Sequence, residues 1–284
     1  MYRSKSSISS LMVHGFLVDL IKNVYSNHLS VDERERMTRF WIEFHGKELK
    51  SKDCSYASDT SSICIYNFSR PGPAILLSCI NAAAHHVDFV IRNETRNDDS
   101  FFSIYHKLLL EAFRLQMLTP AKIMAIDSTK DLEQLEKRFG AIDEWLYETK
   151  PYKDGLILLK CRAPMDKKDV LKKAKYKFST FEKVWIKEVQ QKQVQMEKDF
   201  LKRFFPESDM LEVPFHDLSF YVVYFVSLKN GRIHYDTLKE MGYQYEAYDL
   251  GRFTWNKQIV ASKWREEEEK LSLLKGLKIR TIAK

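Results

Sequence analysis

The sequence predicts a mixed α/β to α+β protein. An N-terminal mixed α/β layer with a helical start is expected over residues 1–163, and a C-terminal unit with a long basic amphipathic helix and a β-hairpin over 164–284. Three observations predict this. The apolar period switches between helix and strand two or three times before residue 150, which favours some parallel pairing. Asn230-Gly231 follows the β-prone run Leu218 to Val226, a hairpin signal. From Lys150 to Arg203 sixteen Lys or Arg stand against seven Asp or Glu, so the formal net charge of +7 originates in one segment while the remainder is close to neutral.

The elements follow in order. Leu11, Phe16, Leu17, Leu20, Ile21 and Val24 form an apolar stripe predicting a first helix. Ser30 with Glu33 is a capping box opening a second, which carries Met37, Phe40, Trp41 and Phe44. Ser51 to Ser62 is polar and reads as a loop; Ile63 to Phe68 is rich in β-formers and stops at Arg70-Pro71-Gly72-Pro73. Ala74 to Ala84 is expected as a buried helix, Val87 to Ile91 as a short strand, and Phe101 to Met117 as a helix closed by Pro120. Lys122 to Ile126 reads as a strand leading through Asp127 into a helix that ends at Phe139, and Glu144 to Glu148 with Leu156 to Arg162 as a hairpin.

Ala163-Pro164 marks the expected boundary, because the residue before proline is biased away from helix. Beyond it, Leu171, Ala174, Phe178, Phe181, Trp185, Val189, Met196, Phe200 and Phe204 follow spacings close to three and four, with a phase shift, and predict one helix from Met165 to Phe205. Ile259 to Leu274 closes the chain as a helix, and no internal repeat is visible.

Composition restricts the function classes. With 284 residues, 44% hydrophobic and 13% aromatic, the chain can bury a large core. Its longest apolar runs fall short of the roughly 18 to 20 residues of a membrane span. Leu11 to Ile21 is interrupted by His14, Gly15 and Asp19 and lacks a small-residue cleavage site, so no signal peptide is expected. Cys54, Cys64, Cys79 and Cys161 form no CxxC pair and read as reduced thiols of an intracellular, cytoplasmic protein. The nine glycines are too dispersed for a GxGxxG or P-loop cradle.

The leading expectation is therefore a basic nucleic-acid-binding protein. Lys168, Lys172, Lys173, Lys175, Lys177, Lys183 and Lys187 would meet phosphates, and Arg252 would stand beside the aromatics Tyr243, Tyr245, Tyr248, Phe253 and Trp255, which either stack on unpaired bases or complete a core. The lysines have a plainer alternative, ion pairing with Asp166, Asp169, Glu182 and Glu188 on a solvated helix face. RNA and DNA are not distinguished. A second expectation is a subunit of a larger assembly, or a homo-oligomer, in which the Leu171 to Phe204 seam docks a helix. A third is a metal-dependent hydrolase using Asp88, Asp127, His85 and His86; no cofactor is otherwise expected, a divalent metal at that cluster being the exception. Asp154 with Lys160 has part of the spacing of metal-dependent nucleases, but Leu158 stands where the second acid belongs.

Overall fold

A computed structural model describes residues 8–26, 30–49, 51–126, 130–179, 184–214 and 222–283. About 49% helix and 21% strand, with small and mostly antiparallel sheets, make it a mixed α/β protein. The chain divides into two compact units: 1–111 with 120–145 and 220–284, and 112–119 with 146–219. The boundary expected at Ala163-Pro164 falls inside the second unit, between strands of one sheet.

The first unit opens with α1 (Ile8–Tyr25), which buries Val13, Phe16, Leu17, Leu20 and Ile21. In α2 (Val31–Met37) the expected capping box is present: Ser30 Oγ accepts from the Glu33 N–H, and Glu33 Oε2 accepts from the Ser30 N–H. The second helix ends earlier than its pattern suggests, because Trp41–Phe44 forms β1. With β2 (Cys54–Ala57) and β3 (Ser62–Ile65) it makes a sheet of order β1-β3-β2, in which β1 and β3 are parallel.

The Pro-Gly-Pro stretch that ends this sheet also starts α3 (Gly72–Arg92), with proline in the first turn where its missing N–H costs nothing. The strand expected at Val87 to Ile91 is instead the end of α3, since Ala82 to Val87 continue the helical phase and Arg92 pairs with Asp88 one turn earlier. Among the described residues α3 is the one helix long and apolar enough to cross a membrane, yet 67% of that stretch is buried inside the protein. Next come α4 (Asp99–Arg114), α5 (Pro120–Met124) and α6 (Lys130–Phe139). The strand expected at Lys122 to Ile126 is replaced by α5, because Pro120 opens a helix rather than merely closing one. Glu144 to Glu148 forms no hairpin arm; Ile142–Glu144 is a single 3-10 turn.

The greatest departure from expectation lies after residue 155. No long helix runs from Met165 to Phe205. The chain instead forms β4 (Leu156–Cys161), α7 (Lys168–Lys173), β5 (Lys177–Ser179), β6 (Val184–Gln190), α8 (Val194–Lys202) and β7 (Met210–Pro214). The sheet is antiparallel, in the order β5-β6-β4-β7. This is a split βαβ arrangement, with β6 inserted between β4 and β5. Leu159, Cys161, Leu171, Trp185, Val189, Val194 and Leu201 form its core, and Phe178 and Phe200 pack against them. The apolar seam expected to line one helix is thus shared, among the described residues, between two helices and two strands.

The same topology follows at once in the first unit. It comprises β8 (Val223–Lys229), α9 (Tyr235–Glu240), β9 (Gln244–Tyr245), β10 (Trp255–Val260), α10 (Trp264–Ser272) and β11 (Lys278–Ala283), with the antiparallel order β11-β8-β10-β9. Asn230-Gly231 makes a strand-to-helix turn here rather than a hairpin, and β8 takes its antiparallel partners from β10 and β11. The predicted final helix begins at Trp264, because Ile259 and Val260 complete β10.

The two modules are an internal repeat, which the linear pattern did not reveal. Asp169, Leu171, Lys172 and Tyr176 recur as Asp236, Leu238, Lys239 and Tyr243; Trp185, Lys187, Glu197 and Leu201 recur as Trp255, Lys257, Glu267 and Leu271. The repeated groups make the same contacts. Lys187 pairs with Glu197 at 2.8 Å and lies 5.3 Å from the Tyr176 ring; Lys257 pairs with Glu267 at 2.8 Å and lies 5.3 Å from the Tyr243 ring. Burial, reinforced by the neighbouring glutamate, pushes the pKa of both phenols up.

Within the first unit, the second module joins the N-terminal layer through Tyr224. Its hydroxyl donates to Glu48 Oε1 at 3.0 Å and accepts from the Phe68 N–H at 3.2 Å, while Arg265 pairs with Glu48 at 3.2 Å. The Gly46 carbonyl accepts from Thr281 Oγ1, and a Cβ on Gly46 would collide with the Thr281 and Ile282 backbone.

His86 gives this unit an acid sensitivity. It is 1% exposed, and burial pushes its pKa down to about 4 from 6.5, partly opposed by the Arg36 and Met37 backbone. Between those values the unfolded chain binds a proton that the folded one excludes, so stability should be complete above pH 6.5 and fall by up to about 3 kcal/mol toward pH 4. Urea titrations across this range should show the decline, and His86→Leu should remove much of it. A wild-type decline unchanged in the variant would assign it to other groups.

Candidate nucleic-acid interface

The basic residues owe their positions to the first module. In α7, Asp169 sits in the first turn and Lys172 and Lys173 in the last, favourable to the helix dipole at both ends. The helix stops through paired backbone bonds, Tyr176 N–H to Leu171 O at 2.9 Å and Lys175 N–H to Lys172 O at 3.0 Å, a Schellman motif with Tyr176 and Leu171 in the same core. The motif requires a left-handed residue. Gly242 supplies it in the second module, with φ of +84°, whereas the first uses Lys175, with φ of +65°. β5 then carries Lys177 away from the turn.

The acids of the region select other partners. Glu188 takes Lys153, Glu197 takes Lys187, Glu207 takes Lys198 and Lys202, and Glu212 takes Lys198. Among the described residues, Lys168, Lys172, Lys173, Lys175 and Lys177 make no ion pair, so the α7-turn-β5 segment presents five cations within ten residues. Their equivalents in the second module are Tyr235, Lys239, Glu240, Gly242 and Gln244, which sum to zero charge.

Beside this segment a shallow groove of about 520 Å³ lies between α7 and α8, lined by Val170, Lys173, Ala174, Lys187, Glu197, Phe200 and Phe204. The Phe200 and Phe204 rings stand 5.5 Å apart, and Phe204 is 37% exposed. At its end Lys167 donates to the Phe204 carbonyl at 2.9 Å. An aromatic wall next to free ammonium groups can accommodate an aromatic base and its phosphate together. The second module has Lys270 and Leu274 where Phe200 and Phe204 stand, and Glu240 in place of Lys173.

The expected site residues thus separate. Lys168, Lys172, Lys173 and Lys175 lie along α7 and its closing turn; Lys177, opposite Ile186, falls on the sheet face away from the helices; Lys187 is held beneath α8 in its pair with Glu197; Lys183 and Phe181 lie outside the described residues. Arg252 is exposed in the β9–β10 loop of the other unit. Tyr243 and Tyr245 differ in burial: Tyr243 is buried by its Schellman turn, whereas Tyr245 is exposed, edge-on to Trp255. Sequence reasoning placed Phe200 and Phe204 on a seam, but their groove exists only once α7 and α8 are separate helices.

The weighed metal cluster has other attachments. Asp88, expected on a strand, lies in α3, and both of its oxygens accept from Arg92, at 2.7 and 2.6 Å. His86 Nδ1 meets the Tyr56 hydroxyl at 3.1 Å, and His85 Nδ1 meets Thr95 Oγ1 at 2.7 Å while stacking on Phe101. Asp127 lies outside the described residues. Comparisons of the chain with protein-family models, curated proteins and solved structures find no significant match.

Lys175 occupies a backbone position that disfavours a side chain, at a cost of about 1 kcal/mol. Lys175→Gly, copying the second module, should stabilise the protein by about 0.5 to 1 kcal/mol, read as a raised urea midpoint at unchanged slope. A lowered midpoint would show that the lysine contributes packing that outweighs the strain.

Proposed function

We propose that the first split βαβ module binds single-stranded nucleic acid, with the lysines of α7 and its closing turn on the phosphates and the Phe200/Phe204 groove receiving a base. The observation that carries this reading is the contrast between repeats. One framework has five unpaired lysines and two groove phenylalanines in one copy, and neither feature in the other. Buried contacts do not demand these residues, since the second copy builds the same helix, turn and strand without them. The sheet face away from the helices offers no comparable platform, because Leu158, Val184 and Ile186 on it are buried. Four free cysteines fit an intracellular, reducing setting.

The assembly reading has less support, because Leu171, Trp185 and Val189, which would have formed the docking seam, are enclosed in the module's own core. Among the described residues, the hydrolase reading likewise lacks a converging set of unoccupied ligands around His85, His86 and Asp88.

Fluorescence anisotropy with single- and double-stranded oligonucleotides across salt concentrations tests the proposal. Lys168→Glu/Lys172→Glu/Lys175→Glu should weaken single-strand binding and flatten the logarithmic salt slope by about 2, three phosphate contacts at about 0.7 each. Phe204→Ala should weaken binding with little change in slope. Preference for duplex would overturn the groove assignment, and an unchanged slope in a folded triple variant would overturn the lysine assignment.

A further inference from the structure

The outer face of the N-terminal sheet carries a second kind of chemistry, independent of the lysine segment. Parallel pairing sets Glu43 of β1 opposite Cys64 of β3, and His45, two residues beyond Glu43, continues the ladder through its N–H to the Ile65 carbonyl at 2.9 Å. Side chains two apart on a strand share a face, so Glu43, His45 and Cys64 converge. The other face, with Ile63 and Ile65 buried, packs toward α3. One ligand atom from each of the three residues lies within 4.8 Å of the other two. The Glu43 Oε2 to His45 Nε2 distance is 3.8 Å, longer than a hydrogen bond.

Two of the three groups are held in place by their neighbours. His45 Nε2 is screened from water and has no hydrogen-bond partner among the described residues. Tyr66 packs on the imidazole with ring centres 4.7 Å apart, restricting its plane. Ser62 Oγ donates to Glu43 Oε1 at 2.9 Å, leaving Oε2 as the oxygen facing the histidine, in the manner of the supporting hydrogen bonds of metal sites. Cys64 is 7% exposed and lies directly opposite Glu43 in the parallel ladder.

We propose that Glu43, His45 and Cys64 form a zinc-binding site of three protein ligands. Tetrahedral zinc with bonds of about 2.0 to 2.3 Å sets its ligands roughly 3.4 to 3.6 Å apart, so the observed separations need only small side-chain adjustments. The donor set selects the metal. One thiolate, one imidazole and one carboxylate suit a borderline-soft divalent ion, whereas magnesium and calcium require mainly oxygen.

The test is Co2+ titration of the full chain after chelator treatment, followed by displacement with Zn2+. One equivalent of Co2+ should produce a thiolate-to-metal charge-transfer band that Zn2+ abolishes. Cys64→Ser should remove the band, and His45→Gln, a substitution at a partly exposed side chain, should weaken binding at least tenfold while leaving metal-free melting unchanged. Cys161→Ser, in the other unit, should keep the band. Absence of a band at one equivalent, a band that survives Cys64→Ser, or one lost only on Cys54→Ser or Cys79→Ser would overturn the assignment.

Discussion

The structure after residue 155 depends on one interaction made twice: a lysine in the third strand of a module, paired with a glutamate on the following helix and covered by a tyrosine ring. In each copy these groups tie three elements together, since lysine, glutamate and tyrosine come from the third strand, the second helix and the turn before the second strand. A charge-assisted hydrogen bond of this kind contributes about 1.5 to 3 kcal/mol and sets the phase of the helix on its sheet. The surrounding aliphatic residues can vary because the polar contact fixes the geometry; Val194 of one core is Trp264 of the other.

With the framework fixed, the surfaces are free to diverge. The first module puts lysines along α7 and β5 and phenylalanines on α8, and accepts a left-handed lysine where glycine would be easier. The second uses the corresponding region for tyrosines around Trp255, and uses Tyr224 and Arg265 to hold Glu48 of the N-terminal layer. One copy thus keeps its helical side open to solvent, while the other anchors a neighbouring layer. The proposed nucleic-acid binding of the first copy rests on that difference.

Much of the fold was legible where one signal stood alone. The Ser30/Glu33 capping box, the apolar periodicity of α4 and the β-prone residues of β8 each specify their element without competition. Residues 165–205 misled because Leu171, Phe178, Trp185 and Val189 are separated by seven, seven and four positions, which suits a helix as well as it suits residues on one face of alternating strands. No Pro or Gly interrupts this stretch, and at the one turn where glycine would have marked a boundary the residue is Lys175. The repeat escaped notice because its shared residues lie 67 positions apart before the loop between the second and third strands and 70 after it, so no single offset aligns them. Charge localisation was readable, but the separation of free from paired lysines needed the positions of Glu188, Glu197, Glu207 and Glu212. Glu43, His45 and Cys64 have no motif spacing; parallel pairing brings the two strands together across the intervening loop and β2.

The central claim, that two copies of one framework differ in having and lacking a nucleic-acid face, is tested most directly by hydrogen–deuterium exchange of the full chain with and without a single-stranded oligonucleotide. The account predicts added protection across residues 168–177 and 200–204, and none across the equivalent 235–244 and 270–274. Equal protection of both modules, or protection confined to the second, would contradict it.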